Sequence, residues 1–487
     1  MKRLVKSVCI ILLLLPVISL SAVAKSEEPI KILAIGNSFS VDSIEQNLYE
    51  LFEANGQDVI IGNMFIGGCR LETHHANMIS GKPKYSYRKV VDGKLINTPK
   101  VSLIDALQDE DWDYVSIQQA SGFSGLYESY TPYLADLLQF ILDNVRGDEP
   151  KLLFHQTWAY DSSSSHGHFK KYDNDQMTMY HAIVQAVQNA VNDNPRIYKV
   201  IPTGTAIQNA RTSYLGDSFN RDGSHLEKTY GRYTAACTWY EIISGKSVVG
   251  NAYAPSTIDE KEKAVAQNAA HYAAKKPFKV TNMKKFKTPL NGNETFDSPL
   301  YVDFGGALTP PSPWFKVAPF TLNGPVFIKD TENTYCPVTI KSMKGFHDTY
   351  NGSKDFYGGE IVIEGNTYPK SVWEDALIVK ENSGTAELIL SGFDPSMTYD
   401  LSLLSLRYDT PKDVRVTELS VSGVSKSEMK VVDSGLEMIR DGIAYDPYQV
   451  KFSNVMPSAE GTITVSVKCK KGMGYLNAMI ITKNIVS

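Results

Sequence analysis

The sequence lacks several patterns that would assign it to a common class of binding protein. Its five cysteines include no Cys-x-x-Cys pair and stand at no metal-binding spacing from histidine. Beyond the N-terminal segment no apolar run is long enough to span a membrane, so no integral membrane segment is predicted. Charges of both signs are interspersed and the net charge is −5, which argues against nucleic acid or an anionic membrane as the main partner.

The first 24 residues have the pattern of a secretory signal peptide. A basic start, with Lys2 and Arg3, precedes a short apolar run, and Ala22-Val23-Ala24 supplies a small-residue cleavage site. We therefore expect cleavage after Ala24 and a secreted or periplasmic protein. The four cysteines of the mature chain are expected to be buried free thiols: Cys69, Cys237, Cys336 and Cys469.

Strand and helix signals alternate in the first half of the mature chain. Five apolar runs have the character of buried strands, and five amphipathic runs have that of helices. The strands are predicted at 31–36, 58–63, 113–118, 151–156 and 198–202, and the helices at 43–54, 101–109, 130–146, 175–193 and 226–243. This order predicts an α/β domain over residues 25–250, with a five-stranded parallel sheet and helices on both faces.

The pattern changes near residue 296. Short alternating runs separated by turn residues follow, and their spacing predicts an antiparallel β-sandwich over 296–487, joined to the first domain by a helical transition at 251–295. The run from Gly474 to Ile481 resembles the last strand of galactose-binding-like jelly rolls. Such modules often accompany the catalytic domains of secreted carbohydrate-active enzymes.

Ser38 stands where the first predicted strand meets the first helix, in Gly36-Asn37-Ser38. Open α/β sheets bind ligands at the carboxyl ends of their strands. Free backbone N–H groups and the helix dipole favour developing negative charge at such a turn. Ser38 is therefore a candidate nucleophile, although a serine here could also serve only as a helix N-cap.

A candidate base lies late in the same half, in the stretch Asp222-Gly223-Ser224-His225. A serine hydroxyl becomes a good nucleophile when an imidazole takes its proton, and a carboxylate orients that imidazole. An aspartate and a histidine three residues apart in one loop can supply both groups. The alternative is that Asp222 only forms a turn and His225 only begins a helix.

Together these segments resemble the SGNH, or GDSL-type, hydrolase superfamily. Its first block, strand-Gly-Asp-Ser, corresponds to Gly36-Asn37-Ser38, with asparagine in place of the usual aspartate. Its last block, Asp-x-x-His, corresponds to Asp222 and His225. The resemblance covers roughly residues 30–245. It implies a flavodoxin-like fold and a Ser-His-Asp triad that needs no metal and no cofactor.

The resemblance also implies an oxyanion hole. The second family block is a glycine after the second strand, a place held here by Gly67-Gly68. The third block, Gly-x-Asn-Asp, is absent. The chain has Gln118 and Gln119 there, and some branches, including sialate-O-acetylesterase-like enzymes, carry glutamine near this point. With the N–H groups of Ser38 and Gly67 or Gly68, Gln118 is the first choice of donor and Gln119 the second.

One further motif suggests a metal ion, because His74-His75 follow Glu72. No third ligand stands at a diagnostic spacing. A surface or substrate-facing role is therefore expected for this pair, and no metal site is predicted.

These features predict a secreted serine esterase that removes acetyl or methyl-ester groups from a poly- or oligosaccharide. The carbohydrate assignment rests on the compartment, the second domain and family habit. One alternative is a lipase or thioesterase, which would need a large apolar acyl groove, whereas the loops here are polar and aromatic. The other is a catalytically inactive glycan-binding surface protein whose sandwich binds the sugar.

Overall fold

The structure, a computed structural model, describes residues 28–292, 295–305, 310–317, 324–346, 348–351, 359–407, 415–427, 429–433, 439–440, 443–444 and 448–484. The predicted signal peptide at 1–24 lies outside the described residues. Within them, no helix combines the length and the hydropathy needed to cross a lipid bilayer. The four cysteines predicted to be buried free thiols are so in the structure.

Seven strands form one mixed sheet in residues 28–292. They are β1 (Ile30–Gly36), β2 (Val59–Phe65), β3 (Tyr85–Val91), β4 (Lys94–Val101), β5 (Tyr114–Ile117), β6 (Lys151–His155) and β7 (Ile197–Ile201). Their order is β4-β3-β2-β1-β5-β6-β7. Strands β2, β1, β5, β6 and β7 are parallel. Numbered among themselves along the chain, these five strands have the order 2-1-3-4-5, which is that of one common class of doubly wound sheet.

The prediction of five parallel strands was correct in their places and wrong in the size of the sheet. Strands β3 and β4 add an antiparallel hairpin beyond β2. The hairpin turns at Asp92 and Gly93, both with positive φ, as a tight two-residue turn requires. Nearly every side chain of β4 is exposed, so this strand has no apolar alternation by which it could be recognised.

Nine helices accompany this sheet in residues 28–292. They are α1 (Ser38–Ile44), α2 (Leu48–Glu53), α3 (Leu71–Ser80), α4 (Leu103–Leu107), α5 (Tyr133–Asn144), α6 (Gln176–Asp193), α7 (Thr203–Arg211), α8 (Tyr230–Ser244) and α9 (Glu260–Lys275). Alternate residues of β1 enter two cores, with Leu33 and Ile35 in one and Ile32 and Ala34 in the other. Helices therefore cover both faces of the sheet, as predicted.

The second half forms mainly antiparallel sheets. Its elements are β8 (Leu300–Asp303), β9 (Trp314–Lys316), β10 (Val326–Lys329), β11 (Tyr335–Lys344), β12 (Asp348–Asn351), β13 (Ile361–Ile363), β14 (Asn366–Tyr368), α10 (Lys370–Trp373), β15 (Asp375–Lys380), β16 (Thr385–Ser391), β17 (Thr398–Leu404), β18 (Val416–Ser422), β19 (Lys430–Asp433), β20 (Ile439–Arg440), β21 (Ile443–Ala444), β22 (Gln449–Val455), β23 (Thr462–Lys471), β24 (Met473–Leu476) and β25 (Ala478–Asn484). The two largest sheets of this half, counted over its described residues, have the orders β10-β11-β16-β23-β18-β19 and β22-β17-β25-β8-β9. Side chains from both sheets share one apolar core.

The two halves contact each other at the start of α9. Lys329 Nζ lies 3.0 Å from Glu262 Oε1 and 3.0 Å from Asp259 Oδ2. The hydroxyl of Tyr335 donates to the same Glu262 oxygen at 2.9 Å. Glu262 is buried by these contacts. The domain division at residues 250 and 295 itself stays a prediction.

Candidate active site

The structure brings Ser38, His225 and Asp222 together at the carboxyl edge of the sheet. Ser38 is the first residue of α1, and its Oγ lies 2.9 Å from His225 Nε2. The other ring nitrogen, Nδ1, lies 2.7 Å from Asp222 Oδ2. If Nδ1–H donates to the carboxylate, Nε2 is left as an acceptor for the hydroxyl proton of Ser38. The three side chains can therefore move a proton away from a serine that attacks an electrophile.

Asp222 is held by its own loop. Its Oδ1 accepts hydrogen bonds from the backbone N–H groups of Ser224, at 3.0 Å, and His225, at 2.8 Å. Partial burial acts to raise the pKa of Asp222, but the hydrogen bonds and charge of His225 outweigh it and leave the pKa well below its ordinary value. The loop turns at Gly223, which has a φ of +83° and faces Ser164 closely. Asp222 is thus an ionised carboxylate in a fixed orientation.

Aromatic side chains support the imidazole of His225. The rings of Phe39 and Trp158 are stacked, with centroids 4.1 Å apart and planes 2° apart. The ring of Phe39 also packs edge-on with the imidazole of His225, and their centroids lie 5.7 Å apart. Trp158 Nε1–H also donates to the backbone carbonyl of Ser224 at 2.8 Å. The stack therefore connects α1, the segment after β6 and the loop that carries the histidine.

A buried carboxylate on α1 anchors both ends of that loop, which we call the His225 loop (residues 221–226). Asp42 is 1% exposed. It pairs with Arg221 at 2.9 Å and Arg232 at 2.7 Å, and it accepts the backbone N–H of Leu226 at 2.9 Å. The sequence interpretation did not include Asp42. The feature that could have identified Asp42 is an acidic residue one helical turn after Ser38 in a helix that is otherwise mostly buried. A buried charge of this kind requires a cationic partner.

The predicted oxyanion glycines, Gly67 and Gly68, lie in the segment after β2, the strand next to β1. Gly36 of β1 pairs in register with Phe65 of β2, so the segment after β2 runs beside the segment after β1. The side-chain amide of Asn37 donates to Cys69 O at 3.0 Å and joins the two segments. Among the described residues, none accepts a hydrogen bond from the backbone N–H of Ser38 or of Gly67-Gly68. These N–H groups can therefore donate to a ligand.

Both candidate glutamines are buried and hydrogen-bonded within the protein. Gln118 Nε2 donates to Asn37 Oδ1 at 2.9 Å, and its Oε1 lies 2.6 Å from Nδ1 of His155. Gln119 donates to Ser129 and accepts the backbone N–H of Leu71. Gln118 therefore orients Asn37, whose Oδ1 also caps α1 through the Phe39 N–H at 3.0 Å. The role of Gln118 as an oxyanion donor stays a prediction.

The adjacent histidines of α3 do not form a joint site. His74 is fully buried, contrary to the expected surface role, and its Nδ1 lies 2.9 Å from the hydroxyl of Tyr85. Burial lowers the pKa of His74 to about 3. His75 Nε2 instead pairs with Asp136 at 2.9 Å. In the described part of the chain, no three histidine, cysteine, aspartate or glutamate side chains are grouped closely enough to hold a metal ion.

Comparison with known proteins identifies relatives of the first half of the chain. A family described as "Domain of unknown function (DUF4886)" matches residues 31–273. The crystal structure of a DUF4886 family protein from Bacteroides uniformis is 52% identical, covers 53% of this chain and 100% of that chain, and has a TM-score of 0.52. No curated protein matches the chain.

Two further solved structures are only weakly similar. An acetylxylan esterase from Geobacillus stearothermophilus is 12% identical over 48% of this chain and 98% of that chain, with a TM-score of 0.30. A carbohydrate-binding module solved with β-1,4-galactotriose is 12% identical over 30% of this chain and 89% of that chain, with a TM-score of 0.18. Similarity this weak indicates neither the fold nor the reaction of this chain.

Proposed function

The chain belongs to the DUF4886 family, and we propose that it is a secreted or periplasmic serine esterase of the SGNH type that removes ester groups from carbohydrate. The observation that carries this proposal is the continuous hydrogen-bonded chain from Ser38 Oγ through the His225 ring to Asp222. Its position at the end of β1 and the start of α1 supports the same reaction, because the free N–H groups there favour an oxyanion.

The proposed reaction has two halves. Ser38 Oγ attacks the ester carbonyl as His225 Nε2 takes its proton, and the N–H groups of Ser38 and Gly67-Gly68 stabilise the tetrahedral oxyanion. The intermediate collapses as His225 returns the proton to the departing alkoxide, which leaves an acyl-enzyme. Water, deprotonated by His225, then attacks the acyl group and releases the acid and free Ser38. Asp222 stabilises the charged imidazole in both halves.

The polar surroundings of Ser38 support a carbohydrate over a lipid. The loop after β6 presents the exposed imidazole of His166, which lies against the ring of the buried Tyr160. The hydroxyl of Tyr160 lies 2.9 Å from that of Ser121, which is partly exposed. A lipase or thioesterase would need an apolar groove for its acyl chain at the same place. Acetyl esters are the first choice of substrate, and methyl esters of an acidic polysaccharide are the second.

The alternative of an inactive glycan-binding protein would place the ligand on the second half. A cleft of about 430 Å³ does lie on its six-stranded sheet, lined by Thr385, Glu387, Ser420, Ser466 and Lys468 among others. Its described lining includes no aromatic side chain, whereas ligand pockets are usually lined largely by apolar and aromatic groups. The geometry around Ser38 favours the enzyme.

A fluorophosphonate probe and a release assay test the proposal. We expect the probe to label the protein and Ser38→Ala to abolish labelling, with Ser80→Ala, an exposed serine at the end of α3, as the matched control. Acetate and methanol release from a panel of glycans should fall by at least about a thousandfold in Ser38→Ala and His225→Ala. Undiminished labelling or release in Ser38→Ala would refute the assignment of the nucleophile.

A further inference from the structure

Five cationic or titratable side chains gather on one side of the candidate active site. We call them the cationic rim: Arg70, His166, His168, Lys170 and Lys171. They come from separate segments, since Arg70 directly precedes α3 and the others lie in the long loop after β6. Their convergence therefore follows from the fold and does not reflect a single basic run in the sequence.

Phe123, from the loop after β5, lies at the centre of the cationic rim. The guanidinium carbon of Arg70 lies 4.7 Å from the centroid of its ring, and Lys171 Nζ lies 5.0 Å from the same centroid. The ring of His168 packs edge-on against it at 5.1 Å. Cation–π attraction holds the charged groups close together in spite of their mutual repulsion.

The cationic rim adjoins the proposed catalytic groups. The segment that carries His166 packs against the His225 loop, since the backbone N–H of Asp161 donates to Gly223 O at 3.1 Å and Ser164 lies close against Gly223. The rings of His166 and His168 are 5.3 Å apart. A substrate whose ester carbonyl lies at Ser38 can therefore extend along His166 to His168 and Lys171.

Among the described residues, only one side chain of the cationic rim has a carboxylate partner. Glu72 pairs with Arg70 at 2.6 Å. Within the described residues no carboxylate comes within ion-pair distance of Lys170, Lys171, His166 or His168. After partial burial, the charges of His166, Lys171, Arg70 and Lys170 act to lower the pKa of His168. Concentrated like charge of this kind is unfavourable in the free protein, and an anion relieves it.

We propose that the cationic rim binds an anionic substituent, a carboxylate or a sulfate, on the carbohydrate whose ester is cleaved at Ser38. This inference rests on the proposed esterase function and narrows its substrate class to acidic saccharides. Arg70 can contribute the N–H groups of its guanidinium that are not directed at Glu72, since a guanidinium carries five donors. Lys171 and Lys170 add point charges that do not require one geometry.

The catalytic test uses two substrates of the same linkage, mono-O-acetylated trigalacturonate and mono-O-acetylated α-1,4-galactotriose, which carry a carboxylate and a neutral hydroxymethyl group at C6 respectively, with acetate release as the readout. We expect kcat/KM to favour the acidic substrate by about tenfold or more in the full-length protein at low salt. Lys171→Gln and Arg70→Gln should each reduce that ratio several-fold, and 0.5 M salt should reduce it as well, because exposed charges are screened. Lys246→Gln, an exposed lysine after α8, is the matched control and should leave the ratio unchanged.

A binding test makes the inference independent of catalysis. Calorimetry on the full-length protein compares unacetylated trigalacturonate, a sulfated galactotriose and neutral galactotriose. Tighter binding of either anion, weakened by Lys171→Gln but not by Lys246→Gln, supports the inference, and the better anion identifies the substituent. Equal affinity for all three saccharides overturns it. If no acetate is released from either ester, removal of acetyl groups at Ser38 is refuted, while the binding result still decides the role of the cationic rim.

Discussion

A carboxylate oxygen of Asp42 accepts the backbone N–H of Leu226 at 2.9 Å, although the two residues are 184 positions apart. Asp42 lies one helical turn after Ser38, and Leu226 directly follows His225. Arg221, which directly precedes Asp222, pairs with the same carboxylate. The helix that begins with the candidate nucleophile therefore holds the His225 loop on both sides of the candidate base.

Asp42→Asn should lower both activity and stability. Loss of the charge leaves Arg221 and Arg232 without their buried partner, which costs about 3–5 kcal/mol in the free energy of unfolding. Because a shift of about 1 Å in a catalytic group can cost about a hundredfold, we expect kcat to fall by roughly ten- to a hundredfold while the protein is still folded. Esterase kinetics and chemical denaturation measure the two effects.

The matched control for this prediction is Glu241→Gln. Glu241 is also largely buried and ion-paired, with His271 Nδ1 at 2.7 Å, but it lies near the far end of α8 from the His225 loop. Its variant should lose stability with little change in kcat. If Asp42→Asn loses stability and kcat in the same proportion as Glu241→Gln, Asp42 has no positioning role.

Asn37→Asp should reduce activity, although aspartate is the usual residue of the family block that this turn resembles. Asn37 Nδ2 donates to Cys69 O at 3.0 Å, so a carboxylate would set two acceptors against each other in a buried position. We expect kcat/KM to fall about tenfold and the free energy of unfolding to fall by about 1–3 kcal/mol. Asn189→Asp is the matched control. Asn189 Oδ1 accepts the amide of Gln185, as Asn37 Oδ1 accepts that of Gln118, but it lies on an exposed helix face, so this variant should change neither quantity. Full activity in Asn37→Asp would contradict this account.

The parts of the site that could be predicted from sequence are local. Ser38 follows an apolar strand, and Asp222 and His225 share one loop, so each pattern is visible within a few residues. The partners of Asp42 lie 179 and more positions away, and nothing in the neighbourhood of Asp42 identifies Arg221 or Arg232. Such pairings are decided by the packing of α1 against α8, which short-range patterns do not show.

The role of Gln118 illustrates the same limit. Its place at the carboxyl end of a strand was predicted, as the last residue of 113–118, and the structure ends that strand, β5, one residue earlier, at Ile117. The partners of its amide, Asn37 and His155, come from the ends of the two neighbouring strands, β1 and β6. A sequence indicates which residues reach the edge of a sheet, but the direction of a side chain there depends on neighbours in space.

Acid should destabilise the protein through its buried histidines. Burial lowers the pKa of His155 to about 3, against an ordinary value of about 6.5. Between these values the unfolded chain binds a proton that the folded protein does not, so the free energy of unfolding falls as the pH falls, by up to about 1.4 kcal/mol per pH unit. The stabilisation is complete above about pH 6.5 and lost by about pH 3.

His155→Gln tests this pH dependence because glutamine keeps one donor and one acceptor for Gln118 and Thr203. Between about pH 6.5 and 3, the unfolding free energy of the variant should change less steeply with pH than that of the wild type. The difference in slope should be up to about 1.4 kcal/mol per pH unit, which corresponds to one bound proton. His181→Gln, an exposed histidine on α6, should keep the wild-type slope. An unchanged slope in His155→Gln would show that this imidazole is not neutral in the folded state.

The last prediction concerns the two halves. A chain of residues 25–290 should fold alone and hydrolyse p-nitrophenyl acetate as fast as the full protein, because this ester needs only the nucleophile, the base and the oxyanion hole. The crystallised relative from Bacteroides uniformis supports independent folding, since the whole of that chain is covered by 53% of this one. Removing the second half takes Lys329 and Tyr335 away from Glu262, which keeps its capping hydrogen bond with Asp259.

The two chains should differ on a polymeric glycan, because binding energy from remote contacts can lower the barrier as well as KM. Lys329→Gln in the full protein is the intermediate case: it weakens the contact between the halves but keeps both, so its rate on the small ester should not change. A short chain that is folded but inactive on p-nitrophenyl acetate would mean that the second half completes the active site. Equal rates on the glycan would instead show that the second half takes no part in substrate binding, and the carbohydrate assignment would lose the support of the second domain.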